Sequence, residues 1–338
     1  MNKDHLLAPY VRQFLLQDLI ADRNLSLNTQ RSYRDTIRLL LRFIHQNHST
    51  DPIRVTVKQI TADLVRNFLT HLERNRTNSV ATRNQRLAAI HSFCRFVSRQ
   101  LPEFLDQARQ IQSIPLRRSP VPSISYLEKE EVDALLATPN RGRPQGQRDY
   151  ALLLFLYNTG ARADEAAHTT LGDLNLGTHP SVRILGKGGK SRLCPLWAHT
   201  SKVLRNLLGP RLEGSRDAPL FRNARGQPMT RFGIHTLVKR TAAKAAQTAP
   251  SLREKQTSPH TLRHTTAVHL LRSGVDINTI RAWLGHVSLE TTNRYAQVDL
   301  EMKAKALETC AVSQENPTPE PTRVWRKDPD LLAFLNSL

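Results

Sequence analysis

The chain has 338 residues, enough for two domains of ordinary size, and carries 49 lysines and arginines against 29 aspartates and glutamates. A formal charge of +20, with arginine spread along the whole length, suits a partner bearing phosphates, and three isolated thiols (Cys94, Cys194, Cys310) exclude a disulfide framework and a CxxC zinc site. There is no apolar run of the roughly eighteen residues that a membrane span needs and no signal-peptide core after Met1-Asn2-Lys3-Asp4, so the expected location is cytoplasmic, at the nucleoid.

The first third reads as helical. Asn28-Thr29-Gln30-Arg31-Ser32-Tyr33 opens a segment in which Tyr33, Ile37, Leu40, Leu41 and Ile44 fall at helical spacing. Thr61 to Leu72 supplies a second helix with Leu64, Phe68 and Leu69 on one face, and Thr82 opens a third through Leu87, Ile90, Phe93, Phe96 and Val97. Thr29, Ile37, Arg42, Phe43 and Ile44 align with Thr82, Ile90, Arg95, Phe96 and Val97, so the two segments resemble each other, either as related sequences or as two amphipathic helices meeting similar packing demands.

Ser113 to Ser125 contains Pro115, Pro120 and Pro122 with Arg117 and Arg118, a composition that resists helix and suits an extended basic linker. A helix then begins within Tyr126-Leu127-Glu128-Lys129-Glu130-Glu131. Tyr150 to Tyr157 is apolar on every side, as a buried helix is, and stops at Gly160. Arg162 follows at once, ahead of Asp164 and Glu165 in a new helix. Val182 and Ile184 alternate with Arg183 into Gly186-Lys187-Gly188-Gly189-Lys190, and Leu193 to Leu196 resumes beyond it, which predicts a β-hairpin with lysine at its tip.

Ser258-Pro259-His260 is a helix start, with Ser258 as N-cap and Pro259 where its missing N–H costs nothing. His260 falls in the first turn, where unpaired backbone donors favour an anion. Arg263 and His264, three and four positions on, share its face, and the helix stops at Ser273 or Gly274. A short helix, Asp276 to Leu284, ends at Gly285 and delivers His286; Tyr295 lies in or beside a further helical segment starting near Ser288. A lone histidine is ordinarily packed or solvated and a lone tyrosine half-buried; the combination is what points to a phosphodiester attacked by tyrosine. A zinc reading of His260 and His264 fails, because Thr261 stands where the metal motif needs glutamate.

Taken together, Thr159-Gly160-Ala161-Arg162-Ala163-Asp164-Glu165, Gly186-Lys187-Gly188, His260-Thr261-Leu262-Arg263-His264, Leu284-Gly285-His286 and Tyr295 make the chain resemble the tyrosine recombinases of the phage integrase and Xer family. The resemblance implies a mainly α fold with a small antiparallel β-sheet, arranged as a two-domain DNA clamp. A helical, SAM-like core-binding domain (1–112), the linker (113–125) and a catalytic domain (126–310) would make up that clamp.

The catalytic set implied is Arg162, Lys187, His260, Arg263, His286 and Tyr295. Tyr295 would attack phosphorus to give a 3′-phosphotyrosyl link, keeping the bond energy without metal or nucleotide, so no cofactor is expected. Arg162 and Arg263 would clamp the non-bridging oxygens. His260 and His286 would move protons, and Lys187, with Lys190 as its rival, would protonate the leaving 5′ oxygen. Arg31, Arg34, Arg83, Arg86 and Lys190 are the candidate DNA contacts. One departure stands out: after Glu165 the family continues with aliphatic residues, whereas Ala166-Ala167-His168-Thr169-Thr170 is more polar and gives His168 no role.

Past Tyr295, Asp299 to Thr309 reads as helix and Pro317, Pro319 and Pro321 interrupt the chain. In the tail, residues 311–338, Leu331, Leu332, Phe334, Leu335 and Leu338 form an apolar side expected to dock in trans on a neighbour, or back on its own domain. The expected partner is duplex DNA at specific recombination sites, taken by a homo-tetramer or a hetero-tetramer with related recombinases, for integration, excision or transposition of a mobile element. Chromosome or plasmid dimer resolution is the alternative role, and a catalytically silent DNA-binding regulator or a monomeric type IB topoisomerase are the alternative classes. A metal-dependent nuclease is disfavoured, because no Asp and Glu cluster converges near the basic motifs.

Overall fold

The computed structural model of the chain describes residues 5–48, 50–118 and 124–285. It divides into two compact units, Met1–Ser123 and Ile124–Leu338.

In the first unit α1 (Leu7–Gln13) runs on into a wider-wound π-helical stretch, Phe14–Asp22. α2 (Leu27–His48), α3 (Ala62–Arg74), α4 (Val80–Gln100) and α5 (Leu105–Gln112) follow. Hydroxyls set two of the starts: Thr61 Oγ1 accepts from the Leu64 N–H at 3.2 Å and Ser79 Oγ from the Thr82 N–H at 3.3 Å, pairing donors the helix leaves orphaned. α4 therefore begins two residues before Thr82. The expected stripes point inward: Ile37, Leu40 and Ile44 of α2 and Leu87, Ile90, Phe93 and Val97 of α4 pack with Phe68 and Leu69 of α3. Each such side chain contributes about 1.5–3 kcal/mol through burial.

Residues 114–118 are fastened to this unit. Ile114 is buried, and Arg117 pairs with Glu73 at 2.7 Å. The Arg117 N–H and carbonyl both bond Asn84, at 3.1 and 2.8 Å, so an extended segment finds on α4 the backbone partners it cannot supply itself. Residues 119–123 of the linker lie outside the described residues.

The second unit contains α6 (Lys129–Ala137), α7 (Pro144–Thr159), α8 (Ala163–His168), β1 (Leu174–Asn175), β2 (Ser181–Leu185), β3 (Ser191–Pro195), α9 (Ala198–Leu208), α10 (Arg231–Ala245), α11 (Pro259–Arg272) and α12 (Ile277–Leu284). α7 packs against α6, α9 and α11, which is why it is apolar around its whole circumference. The sheet is antiparallel in the order β1-β2-β3, with Val182 opposite Cys194 and Ile184 opposite Arg192. The chain is thus mainly helical with a small antiparallel sheet, as expected.

The polar run after Glu165 ends α8. Thr169, buried, donates to the Glu165 carbonyl at 2.9 Å, and both the N–H and the hydroxyl of Thr170 bond Asp173 to open a 3-10 turn at Leu171–Asp173. His168 is exposed, with Nδ1 2.7 Å from the Asp164 carbonyl. The readings of Asp299–Thr309, of the three prolines and of the 311–338 tail fall outside the described residues. Among the described residues no helix is long and apolar enough to cross a membrane.

Candidate active site

The site is built on two left-handed glycines. α7 stops at Gly160, at φ +59°, and the chain turns so that Arg162 becomes the N-cap of α8. α12 stops at Gly285, at φ +65°. These ends meet: a Cβ on Gly160 would lie 2.5 Å from Leu284 Cδ2.

Arg162 folds back on its own helix. Its N–H donates to Glu165 Oε2 at 2.9 Å and its guanidinium to Oε1 at 2.6 Å. Arg263 arrives from α11, whose start is fixed by Ser258 accepting from the Thr261 N–H at 3.2 Å and by Pro259 in the first turn. Arg263 turns inward, only 1% exposed, and donates to the Gly160 carbonyl at 2.7 Å and the Leu284 carbonyl at 2.5 Å. His260 is exposed on the first turn of α11, with the half-buried His264 ring edge-on at 4.4 Å. The expected common face is therefore divided, with His260 toward solvent, His264 half-buried and Arg263 toward the interior.

Glu165 is the junction. Arg192 donates to its Oε2 at 2.7 Å, and Arg263 lies 3.9 Å from the same oxygen. Burial pushes the Glu165 carboxyl up, but hydrogen bonds and charge from Arg192 and Arg162 outweigh it and hold the group at about 2. Three guanidinium groups thus meet one carboxylate, and three minus one leaves a formal excess of two positive charges.

The hairpin was read correctly from its alternation. β2 and β3 are joined through a turn at Lys187–Gly189 in which Gly188 and Gly189 have φ +76° and +75°, and the Gly186 N–H closes it on the Lys190 carbonyl at 2.8 Å. Lys190 is exposed; the Lys187 side chain is outside the described part, as are His286 and Tyr295 entirely. Arg192 also donates through Nε to the Trp283 carbonyl at 2.8 Å. The last two carbonyls of α12 each receive an arginine just before His286 in the chain.

Residues 125–302 match the phage integrase family, and residues 11–100 match the phage integrase N-terminal SAM-like domain. The chain belongs to the phage integrase family. It is a tyrosine-type, site-specific DNA recombinase. One relative, from Sinorhizobium fredii and named as an integrase/recombinase (y4rC), is 40% identical over 100% of both chains. The tyrosine recombinase XerC of Pelobacter propionicus is 32% identical over 93% of this chain and 99% of its own. The fold is similar to that of the XerH recombinase in a post-cleavage complex with its difH substrate, with a TM-score of 0.65 at 22% identity over 85% of this chain and 81% of that one. It is also similar to the Tn1549 transposon integrase in complex with transposon right end DNA, with a TM-score of 0.66 at 16% identity over 90% and 98%.

In the N-terminal unit of the recombinase the four candidate arginines separate. Arg31 and Arg34 are exposed, Arg34 pairing with Asp35 at 2.9 Å. Arg83 is 6% exposed and donates to the Pro115 carbonyl at 3.2 Å, and Arg86 is half-buried, bonding the Ser32 carbonyl and Thr36 Oγ1 at 3.0 Å. The reading of Arg83 as a surface phosphate contact is corrected: it lies on the inward stripe of α4 with Leu87 and Ile90 and holds the segment after α5. Arg86 ties α4 to α2.

Sequence reasoning missed Arg192 and gave Glu165 no task in the recombinase site. The signal for Arg192 was a charge in phase with Cys194 on the inner side of β3, where alternation demands an apolar residue. Among the described residues no group of three or more His, Cys, Asp or Glu is placed to hold a metal ion.

Proposed function

We propose that Tyr295 attacks a scissile phosphodiester of duplex DNA, with Arg162, Arg263, Lys187, His260 and His286 completing the catalytic set. The phenolic oxygen bonds to phosphorus as the bond to the 5′ oxygen breaks, leaving a 3′-phosphotyrosyl link and a 5′-hydroxyl. A second strand's 5′-hydroxyl reverses the step, so the strands are rejoined without outside energy.

The observation that carries this reading is the arginine excess at Glu165. A phosphodiester brings one negative charge and its pentacoordinate transition state two, which Arg162 and Arg263, the two arginines of the catalytic set, oppose. Guanidinium stays charged throughout and presents paired donors to phosphate oxygens. Because Glu165 and the two carbonyls already hold Arg162 and Arg263, little reorganisation accompanies the rise in charge; losing one donor of this kind typically slows a reaction about 10²–10³-fold. His260, exposed on the first turn of α11, suits proton exchange with Tyr295 near neutral pH. Lys187, at the hairpin tip, donates the proton to the departing 5′ oxygen.

The first unit, near 1–112, serves as the core-binding domain, with Arg31 and Arg34 among its phosphate contacts, and residues 126–310 form the catalytic domain, which adds Lys190. The assembly is a tetramer on two sites, of this chain alone or with related recombinases, acting in the cytoplasm. The element served is a mobile one, a reading supported by the integrase/recombinase name of the 40% identical, full-length relative. Tail docking between protomers couples them, and deleting residues 311–338 weakens synapsis while sparing single-site binding.

The test is a nicked suicide duplex, drawn from DNA flanking the gene, mixed in EDTA with wild type or Tyr295→Phe. A denaturant-stable protein–DNA adduct from wild type alone is expected. Adduct from both proteins, or site-specific binding without adduct from either, overturns the reading.

A further inference from the structure

We infer that Arg192 is a positioning residue of strand cleavage, which locks the hairpin that carries Lys187 onto Glu165 and onto the end of α12. The inference rests on the reading of Lys187 as the acid that protonates the 5′ oxygen.

One guanidinium joins three elements. Arg192 stands on the inner side of β3 opposite Ile184, with its side chain 8% exposed. From there Nη2 reaches Glu165 of α8 at 2.7 Å and Nε reaches the Trp283 carbonyl of α12 at 2.8 Å. Both chain segments around it are bare, as close approach requires. A Cβ on Gly285 would lie 3.1 Å from Arg192 Cδ, and one on Gly186 would lie 3.5 Å from Glu165 Oε1 and 3.8 Å from Arg192 Nη1. Gly186, the residue before Lys187 in the chain, therefore lies directly beside the Arg192–Glu165 pair, whereas the two glycines that follow Lys187 have open space around them.

A stability role explains this arrangement poorly. A buried ion pair of this kind is often no more stabilising than well-packed apolar side chains, and its neighbours Val182, Ile184 and Cys194 are such side chains. What an apolar residue cannot do is fix a distance and direction between β3, Glu165 and α12. Lysine cannot do so either, because a single ammonium lacks the planar fork that meets a carboxylate and a carbonyl at once.

Full-length wild type, Arg192→Lys, Arg192→Met and Lys187→Ala are compared on two suicide duplexes. One carries an ordinary scissile phosphodiester and the other a 5′-bridging sulfur in place of the leaving oxygen. A thiol with a pKa of about 8.5 leaves without a donated proton, so the sulfur substrate bypasses the acid. Arg192→Lys and Arg192→Met are expected to lose about 10²-fold in cleavage on the oxygen substrate, the scale of an acid out of place, and to approach wild type on sulfur, as Lys187→Ala does. Equal loss on both substrates by the Arg192 variants, with Lys187→Ala rescued, overturns the positioning role alone and marks Arg192 as structural. Failure of sulfur to rescue Lys187→Ala removes the acid role and the proposal with it.

Discussion

Arg263 donates a 2.7 Å hydrogen bond to the Gly160 carbonyl, joining two signature motifs that lie 103 positions apart in the chain. The same guanidinium reaches the Leu284 carbonyl. Its plane is thereby set by the two backbone turns that precede Arg162 and His286. Arg263→Lys keeps the charge and loses the fork. Single-turnover cleavage is expected to fall about 10²–10³-fold, and urea unfolding to show a loss of about 1–3 kcal/mol from the carbonyls left unpaired. Wild-type cleavage by this variant would show that charge alone suffices.

Glu165 makes stability depend on acid. Its folded value of about 2 lies below the ordinary 4.5, so folding favours the ionised form. The contribution, of order 3 kcal/mol, is complete above pH ~4.5 and is lost as pH falls toward ~2. Urea unfolding of wild type and Glu165→Gln should differ by about 3 kcal/mol at pH 7 and by distinctly less at pH 3. A difference that held steady across that range would contradict the assignment.

The left-handed glycines are not equivalent. Gly160→Ala meets both the positive φ and a contact at 2.5 Å with Leu284, whereas Gly274, at φ +83°, has nothing within 4 Å of a new Cβ. Gly274→Ala should cost about 1–2 kcal/mol from the backbone alone. Gly160→Ala should cost more, with a lower melting temperature and a measurable loss of cleavage. Equal melting temperatures would show that α12 yields freely.

Salt titrations of DNA binding separate the arginines. Arg31→Ala should weaken binding and reduce the slope of log affinity against log salt by about 0.9, the value for one phosphate contact. Arg83→Ala should leave the slope unchanged and lower stability instead, since the side chain is buried against the segment after α5. The opposite pattern would restore Arg83 to the surface role.

Much of the scaffold was legible because its signals are local. Ser258-Pro259 starts α11, Gly160 and Gly285 end helices, and alternation into a glycine-rich tip makes the hairpin. The short β1 was not legible, because two residues carry no period. α9 and α10 went unread, and α10 is mixed in polarity, alternating alanine and threonine with lysine and arginine. Arg83 was misplaced by treating arginine as surface, although its spacing of four and seven from Leu87 and Ile90 put it on the buried stripe. Arg192 and Glu165 escaped because their importance lies in contacts between distant strands and helices, which no spacing rule encodes.

The central claim is that Tyr295 becomes covalently joined to a 3′ DNA end. Protease digestion of the denaturant-stable adduct, followed by mass spectrometric location of the nucleotide-bearing peptide, tests it directly. The account predicts a phosphotyrosyl link at Tyr295 carrying the 3′ phosphate; a link at any other residue, or through a 5′ phosphate, would contradict it.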